Sequence, residues 1–385
     1  MNNQPAPFRS PGQWFYCGTT LLALLFGLWK DAAGQTGNGE LAGTGVVDRN
    51  LRIGGYLDLY YGYDFNRPSD GNVPYFVSSN RHNEVNINLA YIDLSYETSR
   101  TRARLTPAFG TFMEANYAAE PGLLKNLFEA SLGFRPFENR DLWIDAGVLG
   151  SPYTNESAVS RDQLMYTRSF APEYVPYYLA GVKFSGPLND KLVLSLYLLN
   201  GWQQIRDQNS GKSLGTQLEY RPDERNLVNW NTYLGDERSD EQPLFRMRYF
   251  TDVYWVYNPE GRWSITSCAY IGLQQRTDSL GLSSNGSIWW QANTSIRHRF
   301  TEMISLSGRV EYFSDPESVQ ILPLTPADGF QSFSAGLCYN HQIGSNVMFR
   351  CEYRQFLSPG AVFPMPDGRA GNQKTWLIAN LTAWF

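Results

Sequence analysis

Histidine is scarce in this chain: His82, His298 and His341 are the only three among 385 residues. None accompanies a nucleophile motif of the strained-turn kind, so no base stands ready to activate a hydroxyl or thiol, and an enzyme is not expected. Cysteine is as sparse, with four residues. Cys17 falls in an N-terminal segment that reads as removable. Cys268, Cys338 and Cys351 are then odd in number and lack the close spacing of metal sites. Three free thiols are expected, with no metal and no cofactor. Charged residues make up only 18%, with a net charge of −5 and no basic run of the kind that binds nucleic acid. Beyond the N-terminal segment no stretch approaches the roughly 18 apolar residues of a helical membrane span, and mean hydropathy is −0.38.

Aromatics, by contrast, make up 15%, and there are 34 glycines. Many Tyr and Trp with no long apolar run is what a transmembrane barrel gives, because lipid-facing and lumen-facing residues average out along each strand. The single continuous apolar stretch, residues 21–29, follows Arg9 and precedes Ala32-Ala33-Gly34. That order reads as a secretory signal peptide over residues 1–34. Residues 35–50 are Gly-rich and polar, a short periplasmic leader, and residues 51–385 would form the barrel.

The last stretch, residues 373–385, fixes the pattern. Thr375, Leu377, Ala379, Leu381, Ala383 and Phe385 form an apolar row, and Lys374, Trp376, Ile378, Asn380, Thr382 and Trp384 a mixed one. That is strand alternation. At roughly 3.3 Å per residue such a strand reaches about 43 Å, which a tilt near 40° brings close to membrane thickness. The first strand repeats it: Ile53, Leu57, Leu59, Tyr61 and Tyr63 oppose Arg52, Tyr56, Asp58, Tyr60 and Asp64.

Going along the chain, the same test places strands near residues 51–64, 84–97, 102–113, 126–135, 141–150, 177–185, 191–200, 212–221, 226–235, 244–257, 262–276, 287–298, 302–313, 330–341, 346–355 and 373–385. Short and long connections alternate between them. The predicted fold is therefore all-β, an antiparallel up-and-down transmembrane β-barrel of about 16 strands. In the second strand Val85, Ile87 and Leu89 form the apolar row, and a slip near Tyr91 and Ile92 calls for a bulge. In the third, Ala103, Leu105, Phe109 and Met113 oppose Arg102 and Arg104, with Pro107 unable to donate to the ladder. Cys268 and Cys338 face inward and Cys351 outward. Tyr61, Tyr63, Trp263, Tyr312, Tyr353 and Phe385, near strand ends, fit interfacial girdles.

The apolar rows carry essentially no charge, and the opposite rows carry a good deal, so the interior is wet. Arg246, Arg248, Arg309, Arg350 and Arg354, partly offset by Glu311 and Glu352, are candidate pore-lining residues on one arc of the wall. Asp58, Glu129 and Asp145 are candidates on another. Their separation suggests a field across the lumen, with the arginines at its narrowest part; pairing that merely supports the wall is the alternative. Residues 151–176, the longest connection, are the candidate for a loop folded inward.

Several strings resemble the OmpL-like β-barrel porin family of the outer membrane. They are Gly55-Tyr56 and Tyr60-Tyr61-Gly62-Tyr63-Asp64-Phe65-Asn66-Arg67-Pro68, then Asn80-Arg81-His82-Asn83-Glu84, Ala115-Asn116-Tyr117-Ala118-Ala119-Glu120-Pro121-Gly122 and Leu199-Asn200-Gly201-Trp202. The resemblance implies an outer-membrane porin, a water-filled channel for passive diffusion of small hydrophilic solutes or ions. It supplies no substrate or catalytic residue. Outer-membrane lipid and small hydrophilic solutes are the expected partners, and a homotrimer is expected by analogy with sixteen-stranded porins. The alternative is a structural or adhesive barrel with a plugged lumen.

Overall fold

The computed structural model describes residues 50–277 and 286–385. The signal-peptide reading of residues 1–34, and all but the last residue of the leader, lie outside them. Fifteen barrel strands follow one another: β1 (Leu51–Asp64), β2 (Val85–Glu97), β3 (Thr101–Phe109), β4 (Leu127–Phe134), β5 (Trp143–Gly150), β6 (Tyr178–Asn189), β7 (Leu192–Leu199), β8 (Ser213–Asp223), β9 (Asn226–Asp236), β10 (Phe245–Tyr257), β11 (Trp263–Arg276), β12 (Ser287–Arg299), β13 (Ile304–Asp315), β14 (Phe330–Ile343) and β15 (Val347–Leu357). A small hairpin, β16 (Phe363–Pro364) and β17 (Ala370–Gly371), interrupts before the last barrel strand, β18 (Gln373–Trp384). Each barrel strand pairs with its neighbours, and β1 pairs antiparallel with β18, from Tyr56 opposite Trp384 to Asp64 opposite Trp376, closing a 16-stranded barrel. Closure leaves no free edge.

The alternation orients the wall as expected. Leu57, Leu132, Val253, Leu337 and Leu381 are exposed on the outside, while Asp58, Arg309, Arg350, Glu352 and Asn380 are buried inside. An apolar belt of this extent is unsuited to water and suited to lipid. Cys268 and Cys338 are buried, Cys351 is half-buried, and all three are free thiols.

Three local expectations are corrected. The bulge in β2 is at Asn88: the register jumps from Asp58–Leu89 to Leu59–Ile87. Leu89 therefore turns inward and is buried, whereas Ile92 stays outside. Strand β3 ends at Phe109, and a short helix, α1 (Thr111–Asn116), carries Met113 into the interior instead of onto the lipid face. Gly110 makes this possible, since a Cβ there would meet the Asn88 carbonyl oxygen at 2.4 Å, and its φ is +124°. Thirdly, the β10–β11 register shifts between Phe245 and Arg248. Phe245 and Arg248 point inward, while Arg246 is half-buried and folds back to donate to the carbonyls of Pro243 and Phe245. Pro107 does coincide with a register shift in β3.

Long connections gather at one end and short turns at the other. Inside the long-loop half the lumen is filled: Phe76 packs on Phe170, Phe356 and Trp376 with ring centres 5.3, 5.6 and 5.3 Å away. Val73, Met165, Tyr166, Val319 and Phe363, drawn from four different connections, complete that buried cluster.

Candidate functional site

The connection 151–176 enters the barrel and lies along its inner wall. A 3-10 turn (Ser160–Asp162) and a one-turn helix, α2 (Phe170–Glu173), give it local shape; the Ser169 hydroxyl accepts from the Ala171 N–H and caps α2. Such a segment leaves many backbone groups without ladder partners, and the wall supplies them. Glu352 accepts from the N–H groups of Tyr166 and Thr167 at 2.9 and 2.8 Å. Glu311 accepts from the Phe170 N–H at 2.6 Å, and Asp252 from the Thr154 N–H at 2.5 Å. Arg309 donates to the Thr167 carbonyl at 2.5 Å, Arg354 to the Arg168 carbonyl at 2.8 Å and Arg350 to the Ser160 carbonyl at 2.5 Å. From the same stretch of wall, since β1 is separated from β15 only by β18, Asp58 accepts from the Tyr166 hydroxyl at 3.1 Å, so, contrary to expectation, it does not stand on an arc apart from the arginines.

Of the predicted arginine arc, Arg309, Arg350 and Arg354 are therefore brought together as a clamp, and Arg246 and Arg248 are not. Arg309 also pairs with Glu156 at 3.0 Å and with Glu352 at 3.6 Å, and Arg354 pairs with Glu311. Charge is compensated locally, as in the wall-supporting alternative, and the loop lies on these guanidiniums. Arg248 stands apart, donating to Gln274 at 2.8 Å with its guanidinium between the Trp202 and Trp289 rings, 4.9 and 5.4 Å from their centres.

Open space lies in the short-turn half, against β1 to β6. One cavity of about 220 Å³ is lined by charged groups of both wall and loop, among them Arg52, Asp93, Arg104, Glu129, Arg161 and Asp162. A second, of about 90 Å³, shares Arg52, Arg104 and Glu129 and adds Arg102, Asp145 and Lys183. Of the predicted residues, Glu129 and Asp145 line these cavities. Glu129 pairs with Arg104 at 2.6 Å, and Arg104 also with Asp93 at 2.7 Å; Asp145 pairs with Arg102 and, at 3.9 Å, with Lys183. Arg52, Arg102 and Arg104 were readable as inward from their rows, but nothing in the rows distinguished them from the buried arginines of β13 and β15. Arg161 and Asp162 had no strand parity to reveal them.

Among the described residues no group of His, Cys, Asp or Glu is arranged to hold a metal ion. His82 stacks at an angle on Tyr63, 4.9 Å between ring centres, and its Nδ1 accepts from the Asp64 N–H at 3.0 Å, a structural use.

A family model described as "Putative beta-barrel porin-2, OmpL-like" matches residues 50–385. No curated protein sequence matches the chain. Among solved structures, the outer membrane channel DcaP of Acinetobacter baumannii is similar at 8% identity and a TM-score of 0.58, over 86% of this chain and 96% of that one. The anion-selective porin from Comamonas acidovorans is similar at 8% identity and 0.57, over 87% and 99%. OmpT, an outer membrane protein of Vibrio cholerae in trimer form, is similar at 10% identity and 0.54, over 87% and 99%. At these identities the likeness is one of fold.

Proposed function

Since the chain belongs to the OmpL-like β-barrel porin family of the outer membrane, we propose that small hydrophilic solutes and ions diffuse passively through it along the polar side of the lumen between β1 and β6. The observation that carries this is the pair of charged cavities beside Glu129 and Asp145. In this reading Glu129 and Asp145, with Arg102, Arg104 and Lys183, line the path. Arg309, Glu311, Arg350, Glu352 and Arg354 hold the loop that narrows it, and Asp58, two strands from β15 on the same stretch of wall, holds it with them. Arg246 and Arg248 belong to the opposite wall. The apolar belt contacts membrane lipid, and a homotrimer is proposed by likeness to the trimeric neighbour. The fold and family speak for a channel and not an enzyme.

Planar-bilayer recordings on the refolded chain test the path. Asp145→Asn uncovers Arg102 and Lys183 and shifts the reversal potential in a salt gradient toward anions, whereas Arg248→Gln leaves it unchanged. Equal shifts from both variants would remove this assignment. The aromatic packing of Phe76, Phe170, Phe356 and Trp376 across the long-loop half favours a second reading, a plugged barrel with a structural role. Absence of both conductance steps and liposome swelling in small sugars selects it.

A further inference from the structure

We infer that residues 68–82 are a hinged stopper, and that the lumen opens on its long-loop side when the tip of this arm, residues 74–79, withdraws. The inference rests on the channel reading, since it names the part that moves before a solute passes. Two cavities lie in the short-turn half, and the long-loop half above them is filled. The tip closes the larger one from that side. Val77 packs into a buried cluster with Tyr91, Ala158 and Tyr177, and those three residues line the cavity. Phe76 fills the gap between the inward loop and the wall, against Phe170 on one side and Phe356 and Trp376 on the other. A path therefore needs either the tip or the loop 151–176 to leave. The loop is held by Arg309, Glu311 and Glu352, all buried, and stripping partners from such a charge network is costly.

The arm is built to move instead. Its stem pairs with itself: the Val73 N–H donates to the Asn80 carbonyl at 2.7 Å, the His82 N–H to the Gly71 carbonyl at 2.8 Å, and Asn72 pairs antiparallel with Arg81. It turns as one piece about Arg67 and Asn83, whose φ angles are +49° and +58°. The tip is strained, with Tyr75 and Ser79 at +71° and +53°, and withdrawal relieves that strain. Its ties to the barrel are mostly neutral. The Tyr75 hydroxyl donates to the Val362 carbonyl at 2.5 Å and accepts from the Leu324 N–H at 3.0 Å, and the Ser79 N–H donates to Asn88 at 2.7 Å. Glu173 adds a charged acceptor, for the Val77 N–H at 2.6 Å. Two cations gain from opening. Phe76 covers Lys374 and Arg354, its ring centre 5.0 Å from the one ammonium and 4.8 Å from the other's guanidinium carbon. Lys374 is buried, 3.4 Å from Asp64 and 3.3 Å from the Pro74 carbonyl. Withdrawal returns water to both while Asp64 and Glu311 stay beside them, and this hydration offsets part of the lost packing.

Single-channel recordings on the refolded full chain test the stopper. Tyr75→Phe keeps its ring against Phe330, 4.7 Å between centres, and removes both hydroxyl bonds. The ratio of open to closed time should then rise by about tenfold. Replacing residues 74–79 by two glycines should abolish the long closures. Val77→Cys should react with a charged, membrane-impermeant maleimide well above the background of the three native thiols, and the label should hold the channel open. A barrel that conducts with the same open and closed times in wild type, Tyr75→Phe and the shortened variant overturns the stopper and keeps the channel reading. A Val77→Cys barrel that reacts yet never conducts keeps the hinged arm and removes the channel reading.

Discussion

Glu260 shows how one buried carboxyl can set a pH dependence without belonging to the lumen. It sits in the turn between β10 and β11, where Arg297 donates to the Pro259 carbonyl at 2.5 Å and Arg299 to the Glu260 carbonyl at 2.7 Å. Burial pushes its carboxyl from 4.5 up to about 7, with Arg299 and then Arg297 opposing the rise. The folded barrel therefore keeps a proton that the unfolded chain has already released between those values. Stability falls as pH rises from about 4.5 to about 7 and changes no further above, so far as this group is concerned. Glu260→Gln should flatten that decline, read as the urea midpoint below and above the window; an unchanged slope would assign the pH dependence elsewhere. Residues of this kind escape a sequence reading because turn burial has no period. Parity did reveal that Arg309, Glu311, Arg350, Glu352 and Arg354 face inward. What they hold was hidden, since Thr167 and Arg168 are 142 and 186 positions away from Arg309 and Arg354.

At the scale of elements, the inward connection depends on a few wall carboxylates, and Glu352 serves it most. Besides two backbone N–H groups it accepts from the Thr167 hydroxyl at 2.5 Å, and it is fully buried. Removing one partner of a buried charge network typically costs about 3–5 kcal/mol, because the other partners are left uncompensated. Glu352→Gln keeps the shape and removes the charge, so its cost should approach the lower end of that range and fall on the loop. Hydrogen exchange at the Tyr166 and Thr167 amides should accelerate by about a hundredfold, which corresponds to about 2.7 kcal/mol. Amides that stay protected would mean the aromatic packing alone holds the connection. Its length marked this loop in the sequence, but its seat did not. Val73, Phe76, Met165 and Phe170 are scattered apolar residues in connections, and only the barrel's interior gathers them. The position of the β2 bulge is hidden in the sequence for a related reason. Asn88 is equally at home on either face until it donates to Asp58 at 3.0 Å and accepts from the Ser79 N–H at 2.7 Å.

For the molecule as a whole, the decisive property is that its apolar belt has a depth as well as a direction. Sixteen strands whose outward rows carry no charge near their middles define a band whose middle is far from water and whose rims are near it. Val253 lies outward near the middle of β10, flanked by Trp230 on β9 and Ala269 on β11. Leu357 lies outward at the long-loop end of β15. The two are similarly exposed, 48% and 44%, so in a barrel surrounded by water an arginine at either would cost about the same. In a bilayer, Val253→Arg should destabilise by about 2–4 kcal/mol and Leu357→Arg by about 0–1. Reversible unfolding from lipid vesicles measures both. The difference should shrink in short-chain detergent, whose shell readily lets water reach the middle of the wall. Equal costs in vesicles would mean that this belt does not lie across a membrane, and the inward-facing charges would then have to be explained without a lumen joining two aqueous spaces.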